Sequence, residues 1–220
     1  MRTKTLAAVA LLAAASFSLA ACSSGDGGDA PAVVSEQSED KAATVIDQPF
    51  EKPDMVLTDT TGKKFDLREQ TKGKPTLIYF GYTHCPDVCP LTMSNLAVAK
   101  KELEKKLSKA ELAELRIIMV STDPDRDTPE HLGKWMKAQD PSFIGLTGDF
   151  PTVQASARSL GITIEPPVKE KDGTVTSTHG KQVIAFSPKT DAGYVIYNGE
   201  EATADDYAKD LPKIIKGEKP

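Results

Sequence analysis

The residues best suited to chemistry in this sequence are two thiols, in the run Cys85-Pro86-Asp87-Val88-Cys89. Three intervening residues put the sulfurs at i and i+4, one above the other on a common face if the segment is helical. Two sulfurs so placed can grip a soft metal ion such as copper, close a disulfide, or do both in turn. The run directly follows the apolar stretch Leu77-Ile78-Tyr79-Phe80, so the thiols are expected where a strand hands over to a helix. There the free N–H groups and positive end of the helix would stabilise thiolates and lower their pKa values. Pro86 suits the first helical turn, since its missing N–H would have no partner there anyway. Pro90 conflicts with a regular first turn, and the helix is expected to become regular only beyond it.

A soft ion that binds two thiolates also accepts imidazole, and the chain holds three histidines: His84, His131 and His179. His84 directly precedes Cys85, so its ring is expected to point away from that sulfur. His131 lies among Glu130, Lys134 and Lys137 and reads as a solvated residue on a helix face. His179 stands in Ser177-Thr178-His179-Gly180, in a loop entering the apolar run 183–186, which makes it the candidate third ligand. Asp87, between the cysteines, reads either as a turn-former capping backbone N–H groups or as a weak oxygen ligand better matched to Cu(II) than Cu(I). Asp123 and Asp127 in the run 121–129 read as loop-capping groups, and Tyr79 and Tyr82 as packing residues.

The elements that must position these groups follow from periodicity. Residues 55–57 and 64–67 flank the turn Asp59-Thr60-Thr61-Gly62 and predict a β-hairpin. Residues 75–80 and 115–120 are short continuous apolar runs, consistent with buried strands. Apolar spacing predicts a helix over 91–107. Thr128 as N-cap with Pro129 behind it starts another. A short strand over 143–146 and a helix over 151–160 ended by Gly161 come next. Strands over 183–186 and 194–197 and a helix over 203–216, bent or broken at Pro212, close the chain. Strand–helix alternation followed by a hairpin and a helix predicts an α/β fold of thioredoxin-like order. Its central mixed sheet carries helices on both faces.

The N-terminal stretch reads as a targeting signal. Arg2 and Lys4 precede an apolar run over 6–21 that is too short, and too soon followed by polar residues, to span a bilayer. Leu19-Ala20-Ala21-Cys22 resembles the bacterial lipoprotein signal, in which cleavage leaves a lipidated Cys22 as the new N-terminus. That predicts a signal peptide over 1–21, a polar tether over 22–49, and a single domain over 50–220 held at the outer face of the cytoplasmic membrane. It also accounts for the odd third cysteine, leaving Cys85 and Cys89 as the only thiols of the mature chain. An exported dithiol meets oxidising conditions and can become a disulfide. The formal net charge of −5, with no block of Lys and Arg interleaved with aromatics, argues against a nucleic-acid partner.

The stretch Tyr79-Phe80-Gly81-Tyr82-Thr83-His84-Cys85-Pro86-Asp87-Val88-Cys89-Pro90, with Ser121-Thr122-Asp123-Pro124-Asp125-Arg126-Asp127-Thr128-Pro129 downstream, resembles the Sco/SenC family of copper proteins. The resemblance runs from about Asp54 to Ile215. It implies a thioredoxin-like fold with an added β-hairpin and a copper site formed by Cys85, Cys89 and His179. It also implies delivery of copper to the Cu(A) site of cytochrome c oxidase subunit II, or reduction of that site's cysteines. An extracytoplasmic copper carrier upstream would supply the metal. Many family members place an acidic residue before the histidine and a hydroxyl residue after it; here Thr178 and Gly180 stand there.

Two other readings use the same thiols. A thiol–disulfide oxidoreductase would reduce partner cysteines without carrying metal, yet a generic one has two intervening residues and no use for His179. A peroxidase of the peroxiredoxin class needs Thr or Ser three positions before its reactive cysteine. Tyr82 and Pro86 stand at those positions instead.

Overall fold

A computed structural model describes residues 42–220; the predicted signal peptide, Cys22 and the tether up to residue 41 lie outside the described residues. In chain order the elements are β1 (Ala43–Glu51), β2 (Val56–Asp59), β3 (Lys64–Asp66), α1 (Leu67–Gln70), β4 (Thr76–Gly81), α2 (Val88–Leu103), α3 (Lys109–Glu114) and β5 (Arg116–Ser121). There follow α4 (Pro129–Gln139), β6 (Ile144–Thr147), α5 (Phe150–Ser159), β7 (Val168–Lys169), β8 (Val175–Thr176), β9 (Gln182–Phe186), β10 (Ala192–Asn198) and α6 (Ala204–Ile215). The main sheet runs in the order β1-β10-β9-β4-β5-β6-β2-β3, and β7 and β8 pair separately. β4, β5 and β6 are parallel neighbours, whereas β9 lies antiparallel to β4, so the sheet is mixed.

β4, β5 and β9 are apolar almost throughout because both faces of the sheet are covered. Alternate residues divide between two cores. Leu77, Tyr79, Ile117, Met119, Val183 and Ala185 join Met93 and Leu96 of α2, Leu132 and Met136 of α4, and Leu211 and Ile214 of α6. Ile78, Phe80, Ile118, Val120, Ile184 and Phe186 join Leu67 of α1, Val153 and Ala157 of α5, and Leu57 and Phe65 of the β2–β3 hairpin. The fold is thus α/β and thioredoxin-like in layer order, with the hairpin added on the β6 edge. No described helix is long and apolar enough to cross a membrane.

Four features differ from the sequence expectation. β1 lies inside the span assigned to the tether and pairs with β10 from Ala43↔Tyr197 to Glu51↔Ala192, so the folded domain includes residues from Ala43 on that the sequence assigned to the tether. Ala43 and Val45 pack against the first core and Phe50 against the second. α2 begins at Val88, earlier than predicted, and runs through Pro90. Pro90 is the third helical residue, where an N–H would find no partner within the helix, so proline costs nothing there. Pro86 lies ahead of the helix rather than in its first turn, and α6 continues through Pro212 to Ile215.

Candidate metal centre

The dithiol sits where β4 ends and α2 begins. Asp87 is the N-cap of α2, its carboxylate accepting from the Val88 amide at 2.7 Å. Cys85 therefore precedes the cap while Cys89 is the second helical residue, and the two sulfurs are not stacked along one helical face. They are linked by the turn: the Cys89 amide donates to the Cys85 sulfur at 3.4 Å. Asp87 also lies beside that sulfur, with Oδ1 at 3.8 Å. Both cysteines are free thiols, 6% and 0% exposed respectively.

Cys89 overturns the expectation of a lowered pKa. It lies at a helix N-terminus, but burial pushes its thiol up to about 12, against the hydrogen bonds from Tyr79 and the Tyr82 backbone that favour the thiolate. At neutral pH Cys89 is therefore protonated. The Tyr79 hydroxyl donates to its sulfur at 3.3 Å, and Tyr79 is itself 1% exposed. Tyr79 is more than a packing residue, and strand alternation was the available sign, since it faces the α2 side. Gly81 lets these groups meet: a Cβ there would lie 2.5 Å from the Tyr79 ring and 3.0 Å from the Cys89 sulfur.

His179 lies in the loop before β9, which is pinned on three sides. The Gly180 amide donates to the Phe80 carbonyl at 2.8 Å, tying the loop to the end of β4. The Thr122 hydroxyl donates to the Thr178 carbonyl at 2.6 Å. The Thr178 hydroxyl exchanges hydrogen bonds with the Glu165 backbone, at 2.7 and 3.1 Å. Thr178, through its hydroxyl and carbonyl, and Gly180, through its amide, thus both hold the loop. The half-buried His179 ring stands beside Tyr82, with ring centroids 6.3 Å apart. Its Nδ1 lies 2.9 Å from the Gly180 carbonyl, an acceptor only, so Nδ1 carries the proton and the Nε2 lone pair is left free. That is the arrangement in which imidazole ligands are commonly oriented.

The 121–129 run forms the floor beneath the thiol loop. Asp127 is fully buried and accepts from the Ser121 hydroxyl at 2.7 Å, the Thr83 hydroxyl at 2.5 Å and the Thr83 amide at 3.1 Å. Asp123, also fully buried, is paired with Arg126, which reaches on to the Ser177 hydroxyl at 3.3 Å. Both aspartates brace loops, Asp127 the one bearing the cysteines and Asp123, through Arg126, the one bearing His179. The three residues Cys85, Cys89 and His179 surround one end of the sheet, yet their ligand atoms do not all come within 4.8 Å of one another. Among the described residues, the group of three that meets that distance is His84, Asp127 and His131. On sequence grounds alone neither of those histidines reads as a ligand.

A family model described as SCO1/SenC matches residues 39–216. The chain belongs to the SCO1/SenC family. The human mitochondrial Protein SCO1 homolog is 32% identical over 144 residues, which cover 66% of this chain and 46% of that one. Copper-bound ScoI of Bradyrhizobium japonicum is 30% identical with a TM-score of 0.62, over 76% of this chain and 98% of that one. BsSco, described as a member of the Sco family of cytochrome c oxidase assembly proteins with a disulfide switch, is 25% identical. Its TM-score is 0.60, over 78% of this chain and 97% of that one. The chain spans less than two thirds of the length of the curated relatives it matches.

Proposed function

We propose that this SCO1/SenC protein is a copper metallochaperone. It would hold copper on Cys85, Cys89 and His179 and deliver it to the Cu(A) site of cytochrome c oxidase subunit II. The observation that carries the reading is the state of His179: its Nδ1–H is committed to the Gly180 carbonyl, so Nε2 is the nitrogen offered to a ligand. Two sulfurs and one imidazole are a donor set for soft copper rather than for hard cations. The copper-bound neighbour at 30% identity supports copper as the metal. Copper here is cargo, taken from an extracytoplasmic carrier and surrendered to an acceptor. Oxidising the two thiols to a disulfide, with loss of two protons and two electrons, would remove two of the three donors at once. Asp87, fixed as a helix cap, has a positioning role for Cys85 rather than a ligand's role.

A dedicated thiol–disulfide oxidoreductase is the weaker reading. The pKa of about 12 at Cys89 makes it a slow attacking and leaving group at neutral pH, whereas a metal ion displaces its proton directly. The lipid on Cys22 and the chain up to β1 would hold the domain at the outer face of the cytoplasmic membrane. Metabolic labelling with a fatty acid, lost in Cys22→Ser, checks that part separately.

The central test titrates copper into the reduced protein and into Cys85→Ser, Cys89→Ser and His179→Ala. Each variant is expected to lose at least tenfold in affinity, and unchanged tight binding by all three would refute the site. Copper-loaded and copper-free reduced protein are then mixed separately with an apo or oxidised subunit II fragment. Metal transfer and disulfide reduction are scored independently. Reduction without transfer would favour the oxidoreductase.

A further inference from the structure

His84 and His131 come from segments far apart in sequence, one in the loop after β4 and the other on the first turn of α4. Their rings stack, with centroids 5.1 Å apart and planes inclined by 14°. Both converge on one oxygen: His84 Nδ1 lies 3.1 Å and His131 Nε2 3.0 Å from the Thr83 hydroxyl. That hydroxyl has a single proton, and it points to Asp127 Oδ1 at 2.5 Å. Both imidazoles must therefore donate to it. Asp127 Oδ1, in turn, is 3.8 Å from His84 Nδ1. Two ring nitrogens and a carboxylate oxygen thus surround one small volume, all within 4.8 Å of one another.

We infer that His84, His131 and Asp127 form a second metal site, for a borderline divalent cation such as Cu(II), Zn(II) or Ni(II), separate from the thiol site. The donor set of two imidazoles and one carboxylate matches those ions and neither Cu(I) nor a hard cation. Asp127 is held as an orienting shell would hold a ligand. The Ser121 hydroxyl and the Thr83 amide occupy Oδ2, leaving Oδ1 turned toward the histidines. The two imidazoles are on the solvent side, so a bound ion would keep open positions for water or a partner's donor. Ligand atoms about one ion lie roughly 3.3 Å apart for bonds near 2 Å, so the site closes by a small inward turn of the exposed His84 ring. Each neutral imidazole moves its proton to its other nitrogen as it takes the metal, and the Thr83 hydroxyl turns aside. Because His84 directly precedes Cys85, an ion here sits next to the thiol loop without using either sulfur.

The test uses the full chain carrying Cys85→Ser and Cys89→Ser, with folding checked by circular dichroism. Cu(II), Zn(II) and Ni(II) are titrated separately by calorimetry, and the Cu(II) form is examined by electron paramagnetic resonance. One equivalent of Cu(II) is expected, with hyperfine coupling to two nitrogens. Adding His131→Ala should weaken binding at least tenfold and remove one nitrogen coupling. His131→Gln, which still reaches the Thr83 hydroxyl, should behave like His131→Ala, and His179→Ala should change nothing. With both thiols present, His131→Ala should leave Cu(I) affinity within threefold. Failure to bind any of the three ions, or binding that is indifferent to both His131 variants, overturns the site. Loss of Cu(I) binding in Cys85→Ser or Cys89→Ser does not bear on it, so the two sites are refuted separately.

Discussion

Removing the Tyr79 hydroxyl as Tyr79→Phe isolates what the tyrosine does for the sulfur it touches. The ring stays, and so does its packing between β4 and α2; only the O–H that reaches Cys89 at 3.3 Å is lost. In the metal-free protein the acceptor is a neutral thiol, because burial holds the Cys89 pKa at about 12. A hydrogen bond to so weak an acceptor is worth about 0.5–1 kcal/mol. Once copper has displaced the proton the sulfur is a thiolate, and a hydrogen bond to a charged acceptor is worth about 1.5–3 kcal/mol. The difference of about 1–2 kcal/mol falls on the copper-bound state alone and corresponds to a roughly five- to thirtyfold loss of affinity. Competition for Cu(I) against a chromophoric chelator measures it. Thermal unfolding of the metal-free protein, run in parallel, should show a shift of only a few degrees. If copper affinity stays within twofold of wild type, or if stability falls as far as affinity does, the hydroxyl serves packing and not the bound sulfur.

Gly81→Ala should force the Tyr79 ring and the Cys89 sulfur apart, since the new Cβ would lie 2.5 Å and 3.0 Å from them. The cost is about 1–3 kcal/mol in urea unfolding, and a neutral outcome would mean that β4 gives way more easily than its buried setting suggests. Asp127→Ala leaves two hydroxyls and one amide without their shared acceptor beneath the thiol loop. A loss of about 3 kcal/mol or more is expected by chemical denaturation, and one below 0.5 kcal/mol would be inconsistent with that bracing. Asp210 of α6 is buried, and burial raises its pKa above 3.8 although the Tyr197 hydroxyl donates to it at 3.2 Å. Between its unfolded and folded pKa the folded chain holds the extra proton, so stability is lost as pH rises through that window. Asp210→Asn should therefore raise the melting temperature at pH 7, with the gain vanishing below about pH 4; no gain at neutral pH would refute the sign.

Strand identity and layer order were legible because both depend on local patterning: continuous apolar runs for β4, β5 and β9, and turn chemistry between β2 and β3. The thiols were legible because they are adjacent in sequence. What the sequence does not carry is which effect wins where two oppose each other. Cys89 stands at a helix N-terminus, which by itself favours the thiolate, yet packing between Tyr79, Met93 and the sheet removes water from it, and burial prevails. β1 was hidden for the opposite reason. An edge strand needs few apolar residues, and Ala43, Val45 and Phe50 anchor to the two cores a segment otherwise composed much like a linker. The meeting of His84 with His131 was not legible at all, since it depends on Asp127 drawing the Thr83 loop down onto the start of α4. The same aspartate thus braces the thiol loop and faces the paired histidines. A substitution there would disturb both, which is why His131, on α4 and touching the thiol loop only at His84 and the Thr83 hydroxyl, is the residue that can tell them apart.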